Sequence, residues 1–124
     1  YLEKAMQSYG LNAAEFSTLE LLFHKGPQMI KGIGDRLLLA GSSMTYVIDK
    51  LVDKRLVSRS KCHSDKRQFL VTLTEEGSQY IQTIFSQHEE AIAKVFSVLS
   101  KEEYDTLTTL LKKVGYHSRT LLEE

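Results

Sequence analysis

The stretch from Ser42 to Thr74, SSMTYVIDKLVDKRLVSRSKCHSDKRQFLVTLT, changes periodicity part-way along. Met44, Val47, Ile48, Leu51 and Val52 recur at the spacing of a helix that buries one stripe. Ser42 suits the N-cap of that helix, because its hydroxyl can accept from an amide of the first turn. The opposite face, Ser43, Thr45, Tyr46, Asp49, Lys50, Asp53 and Lys54, is able to hydrogen-bond throughout. From Leu56 the pattern shortens. Leu56–Arg59 and Gln68–Leu73 are β-branched and alternating, so they read as two strands with the polar segment Cys62–Arg67 as the tip of a hairpin. A lone hairpin is marginal in water and must pack on the helices before it.

Upstream, Asn12-Ala-Ala-Glu15 has the form of a capping box, with Leu11 and Phe16 placed to staple it. The helix it starts carries Phe16, Leu19, Leu22 and Phe23 on one face and stops at Gly26-Pro27. A second helix is expected over Ile30–Leu39 with Ile33, Leu37 and Leu38 as its apolar residues, weakened by Gly32 and Gly34. Ala40-Gly41 then reads as a tight turn, with Gly41 as the left-handed residue. A short helix, a tight turn and a helix with a polar N-terminal face make a helix-turn-helix, and the hairpin makes it a winged helix.

Downstream, Thr74 can cap a long helix whose seam is Ile81, Ile84, Phe85, His88, Ile92, Val95, Phe96 and Leu99. A second capping box, Ser100-Lys-Glu-Glu103, restarts a helix with Leu107, Leu110, Leu111 and Val114 on one face. These helices hold more apolar surface than a small winged helix can cover, and a two-fold dimer is the expected outlet. The fold class is therefore mainly α with a small β-hairpin (α+β): a winged helix-turn-helix over residues 12–74, with residues 1–11 and 75–124 as a helical dimerisation region. The chain opens on Tyr1, so further N-terminal residues are expected ahead of it.

The net charge of zero conceals a basic middle. Residues 28–67 hold nine Lys and Arg against four acids, while residues 75–124 hold five against nine. A local positive field of this kind suits a polyanion. No apolar run is long enough to span a membrane and no signal peptide opens the chain, so a cytoplasmic protein is expected. The single cysteine, Cys62, cannot form an internal disulfide. No Gly-rich phosphate loop, nucleophile elbow or paired-carboxylate pattern marks an enzyme, and no cofactor is implied. His24, His88 and His117 lack ligand spacing, so no metal site is expected.

The order of elements resembles the multiple-antibiotic-resistance regulator (MarR) family of bacterial transcription factors over nearly the whole chain. The resemblance is carried by Ser42–Arg59, by the wing motif Asp65-Lys66-Arg67, and by the exit Leu73-Thr74-Glu75-Glu76-Gly77. It implies a sequence-specific regulator of double-stranded DNA, expected to be a repressor released by a small effector. Ser42, Ser43, Thr45, Tyr46 and Lys50 match the recognition helix, with Lys50 as a phosphate contact. Lys61, His63, Lys66 and Arg67 belong to the wing, where Arg67 would enter the minor groove and Asp65 would fix its direction. A homodimer would set the paired helices one DNA turn apart, ~34 Å, and require a pseudopalindromic operator. The resemblance also implies an effector pocket for a small aromatic or quinone-like molecule near Tyr9, Phe16 and His24.

Cys62 stands among Lys61, His63, Lys66 and Arg67, a field that favours a thiolate, so it is a candidate sensor of electrophiles or oxidants. An incidental exposed cysteine is the alternative. A winged helix used only for protein contacts is the rival function, and it would have no need of Lys50 or Arg67.

Overall fold

The Asn12 capping box forms in full: the Glu15 N–H donates to Asn12 Oδ1 at 2.8 Å and the Asn12 N–H to Glu15 Oε1 at 3.1 Å. The computed structural model describes residues 1–64 and 67–123 of the chain. Its elements are α1 (Leu2–Ser8), α2 (Ala13–Lys25), β1 (Gln28–Met29), α3 (Ile30–Leu37), α4 (Gly41–Asp53), β2 (Val57–Lys61), β3 (Phe69–Leu73), α5 (Glu75–Phe96) and α6 (Lys101–Glu123). The fold is mainly helical with a small antiparallel sheet in the order β1-β3-β2. Two compact units divide the chain, residues 1–89 and 90–124.

The first unit is organised around one core. Phe16 and Leu19 of α2, Ile33 of α3, Met44, Ile48 and Leu51 of α4, Val71 of β3 and Ile81 of α5 are all fully buried. Each apolar side chain taken out of water contributes roughly 1.5–3 kcal/mol before the entropy of ordering is subtracted. The helical stripe read in α4 is thus the inner face, and Ser43, Thr45, Tyr46 and Lys50 are exposed.

The hairpin forms where expected, but β2 runs Val57–Lys61 rather than Leu56–Arg59, with Val57 opposite Leu73, Arg59 opposite Val71 and Lys61 opposite Phe69. Beyond it, the Cys62 N–H donates to the Gln68 carbonyl at 2.9 Å. The short strand β1 was not expected. It pairs Gln28 with Val71 and Met29 with Leu70, so β3 becomes the central strand. Helix α1 likewise has no separate signature in the residue pattern.

The helix-turn-helix turn differs from the sequence expectation. Helix α3 stops at Leu37, and Leu38, not Gly41, takes the left-handed conformation, at φ 58°. Leu38 is 89% exposed rather than buried. Gly41 is the first residue of α4, and the N-cap is Ala40, with no side-chain bond; Ser42 lies inside the first turn. The cause is the packing at Gly34. A Cβ there would lie 3.0 Å from both the Leu39 carbonyl oxygen and Met44 Cγ, so the two helices approach at a bare backbone and the chain must turn early. Gly34 weakens α3 locally yet permits this contact.

Thr74 caps α5 as expected. Its hydroxyl accepts from the Gly77 N–H at 2.9 Å and donates to the Arg55 carbonyl at 2.7 Å. Gly77 is obligatory here: a Cβ would stand 1.9 Å from the Leu56 carbonyl oxygen. Arg55, which follows α4, is held at φ 62°.

In the second unit, Ser100 and Glu103 form the second capping box. The Ser100 N–H donates to Glu103 Oε1 at 2.9 Å and the Glu103 N–H to Ser100 Oγ at 3.1 Å. The bond from the Ser100 backbone, helped by its side chain, holds the Glu103 carboxyl below its ordinary range. The rings of Phe96 and Tyr104 meet edge-on at 6.1 Å. Among the described residues of α6 none is buried, and Leu110, Leu111, Val114, Tyr116 and Leu122 are exposed.

Two substitutions test these backbone constraints by urea unfolding. Gly77→Ala should destabilise the protein by about 2–4 kcal/mol, since backbone must move to admit the methyl. Arg55→Gly should stabilise it by about 1 kcal/mol by relieving the left-handed penalty.

Candidate nucleic-acid interface

With Met44, Val47, Ile48 and Leu51 turned inward, the geometry of α4 leaves Ser42, Ser43, Thr45, Tyr46 and Lys50 facing outward. The Thr45 hydroxyl donates to the Gly41 carbonyl at 3.0 Å, which fixes its rotamer on the first turn. Tyr46 is 61% exposed, and the Lys50 ammonium sits 5.3 Å from the centre of its ring. The pair lies one helical turn apart, so a cation and an aromatic edge share one stripe.

The wing carries the other predicted residues. Lys61 closes β2, and His63 and Arg67 are exposed near the hairpin tip. Asp65 and Lys66 lie outside the described residues, and with them the expected Asp65–Arg67 pair. Cys62 is half-buried, its Sγ 3.1 Å from Ser64 Oγ.

Reading the sequence missed how the wing is joined to the helix. The Arg59 guanidinium on β2 bonds to the Asp49 carboxylate on α4 and lies 5.9 Å from the Phe69 ring on β3. Arg59 is therefore a brace between α4 and the hairpin. As a partly exposed pair it adds less than about 1 kcal/mol to stability, but it limits how the hairpin can lean against α4. The polar face of α4 and the charge of the wing are both visible in the residue pattern. Their pairing needs the fold.

A cleft of about 400 Å³ opens on this side of the first unit, lined by Lys31 and Asp35 of α3, Thr45 of α4, and Arg67, Gln68 and Phe69 of the wing. It brings together two cations from separate elements with a hydroxyl, an amide and the Asp35 carboxylate, on a lining that also includes Ile30 and Leu39. Lys31 and Gln68 were not among the expected contacts.

The residues expected to form an effector pocket are placed differently from one another. Tyr9 and Phe16 are buried in the core with ring centres 6.4 Å apart, while His24 is exposed and meets Phe85 edge-on at 5.7 Å. Phe16 also packs against the His88 imidazole at 4.1 Å. The His88 Nδ1 is buried with no hydrogen-bond partner among the described residues. Among those residues, too, no group of three or more His, Cys, Asp and Glu side chains could hold a metal ion, and no helix is long and apolar enough to cross a membrane.

Comparison with known proteins agrees with this architecture. The family model described as the MarR family matches residues 11–69. The chain is 42% identical to the HTH-type transcriptional regulator MhqR of Bacillus subtilis, across 96% of this chain and 82% of that protein. The chain belongs to the MarR family. It is also 45% identical to the HTH-type regulator YkoM of the same organism, across 94% of this chain and 75% of that one. Among solved structures, apo MarR from E. coli superposes with a TM-score of 0.82 at 26% identity, covering 91% of this chain and 84% of that chain. MarR-family proteins are transcriptional regulators that bind DNA and dimerise, so this chain is a DNA-binding transcriptional regulator with a winged helix-turn-helix.

The Asp49–Arg59 brace gives a test of wing order. Asp49→Asn should leave global stability within about 1 kcal/mol of the parent. Amide hydrogen exchange should nevertheless quicken in Ser58–Lys61 and in Phe69–Val71, where the hairpin loses its link to α4.

Proposed function

We propose that the chain acts as a homodimeric repressor that reads a pseudopalindromic operator. In each subunit α4 lies in the major groove and the wing reaches the neighbouring minor groove. Ser42, Ser43, Thr45 and Tyr46 meet base edges, Lys50 binds a phosphate, and Lys61, His63, Lys66 and Arg67 engage the backbone and the narrow groove, with Asp65 orienting Arg67. The observation that carries this reading is the exposed polar stripe of α4 beside a basic wing on one compact unit. Residues 12–74 then form the reading head, and residues 1–11 and 75–124 supply the dimer contacts. The exposed leucines and tyrosines of α6 support that division, since a second copy would cover them. Work on a bacterial chromosome would place the protein in the cytoplasm.

Release is assigned to a small aromatic or quinone-like effector, for which Tyr9, Phe16 and His24 remain the proposed contacts. The unsatisfied His88 Nδ1 beside Phe16 supports a ligand there that brings a hydrogen-bonding group. A second route runs through Cys62, whose N–H helps close the hairpin, so an adduct on its sulfur would sit at the wing joint. Either route works only by favouring a state in which paired reading helices no longer match the groove spacing.

Selection of bound sequences from random duplexes should return a two-fold-related consensus. Affinity for that duplex should fall steeply with salt through counterion release, and Arg67→Glu should weaken it by roughly 100-fold. Binding that ignores salt and tolerates Arg67→Glu would favour the protein-contact function instead. For the thiol route, treatment with benzoquinone should release DNA from the parent protein and not from Cys62→Ser; equal release from both removes Cys62 from the mechanism.

A further inference from the structure

Lys54 lies on the polar face of α4 by sequence, yet its ammonium is tied to the body of the domain. Nζ donates to Glu15 Oε2 at 2.6 Å and to the Gly10 carbonyl at 2.9 Å. These partners lie in the turn between α1 and α2 and in the first turn of α2, more than three dozen residues earlier in the chain. The Glu15 side chain is only 6% exposed, against 40% for Lys54. Its other oxygen already accepts the Asn12 N–H of the capping box. A capping carboxylate ordinarily faces water; this one is buried with both oxygens engaged, and Lys54 is the cation that accompanies it. Without that ammonium, Oε2 would be left desolvated and without its donor.

The position of Lys54 in α4 gives the tie its meaning. It is the C-cap residue, where a cation also complements the carbonyl end of the helix. The opposite end of α4 is set by the close approach of Met44 to Gly34. Helix α4 is thus located at its N-terminal end by an apolar contact and at its C-terminal end by a charged one.

We propose that Lys54 is a positioning residue for DNA reading: its tie to Glu15 and to the Gly10 carbonyl sets the tilt of α4, and it makes no phosphate contact of its own. This rests on the reading of α4 as the helix that enters the major groove. Loss of the tie lets α4 shift, so its outer side chains miss the base edges. Lys50 and the wing cations still meet phosphates. Discrimination between sequences is lost while the electrostatic part of binding remains.

The test uses full-length Lys54→Met, whose side chain keeps its reach and loses its charge, and two duplexes: the one enriched by selection and a scrambled one of equal length and composition. Affinity for the selected duplex should fall about tenfold while affinity for the scrambled one stays within about twofold, with an unchanged slope of log affinity against log salt. A shallower slope with weakening on both duplexes would make Lys54 a phosphate contact and overturn the proposal. Equal weakening at unchanged slope, which reports fewer folded molecules, or no change at all, overturns it too. Should Lys54→Met fail to fold, Glu15→Gln removes the charge of the partner while keeping its size, and should show the same loss of discrimination in weaker form; full discrimination by that variant overturns the proposal. A parent protein that does not prefer the selected duplex overturns the DNA-reading assignment itself, and the positioning role with it.

Discussion

Burial of one face of α4 is the constraint on which the rest depends. Met44, Ile48 and Leu51 are fully enclosed with Leu19, Ile33 and Val71, and no rotation of the helix can keep them there while hiding its other side. Ser43, Thr45, Tyr46 and Lys50 are exposed because the apolar stripe is inside. The functional surface is a geometric consequence of the core. On the proposed reading, a substitution in the stripe would disturb DNA recognition without altering any side chain that faces the duplex.

A few longer-range polar contacts of the first unit tie α4 and the hairpin to the rest of the fold. Asp49 and Arg59 brace helix to wing, the Cys62 N–H closes the hairpin on Gln68, and Thr74 joins the end of α4 to the start of α5 through the Arg55 carbonyl. Each contributes little to stability alone. Their joint effect is to reduce the number of arrangements open to helix and hairpin, which on the proposed reading lowers the entropy lost on binding DNA. The neutral total charge fits this division. On the proposed reading, attraction to DNA comes from the basic middle of the chain, residues 28–67, which lies between acidic flanks.

Features set by neighbouring residues were legible in the sequence. Both capping boxes, the Thr74 cap and the α4 stripe depend on spacings of a few residues and formed as read, and the two hairpin strands formed with β2 shifted to Val57–Lys61. Features set by distant contacts were not. Strand β1 is two residues long and has no period to detect. The turn after α3 moved to Leu38 because Gly34 and Met44 meet, and Gly77 is required by the Leu56 carbonyl. The site divides the same way. The polar outer face of α4 follows from periodicity, whereas Arg59 with Asp49 and Lys54 with Glu15 become partners only when the chain is folded. Tyr9 and Phe16, taken as pocket residues through family resemblance, lie within the core and so require the core to open or rearrange for a ligand to reach them.

The most direct test of a two-subunit, two-groove grip is hydroxyl-radical footprinting of the selected duplex with the purified protein. Two symmetric protected regions should appear with centres about one helical turn apart, each flanked by minor-groove protection that disappears when Arg67 is changed to Glu. A single asymmetric footprint, or two protected regions whose flanking minor-groove sugars stay as reactive as in free DNA, would contradict it.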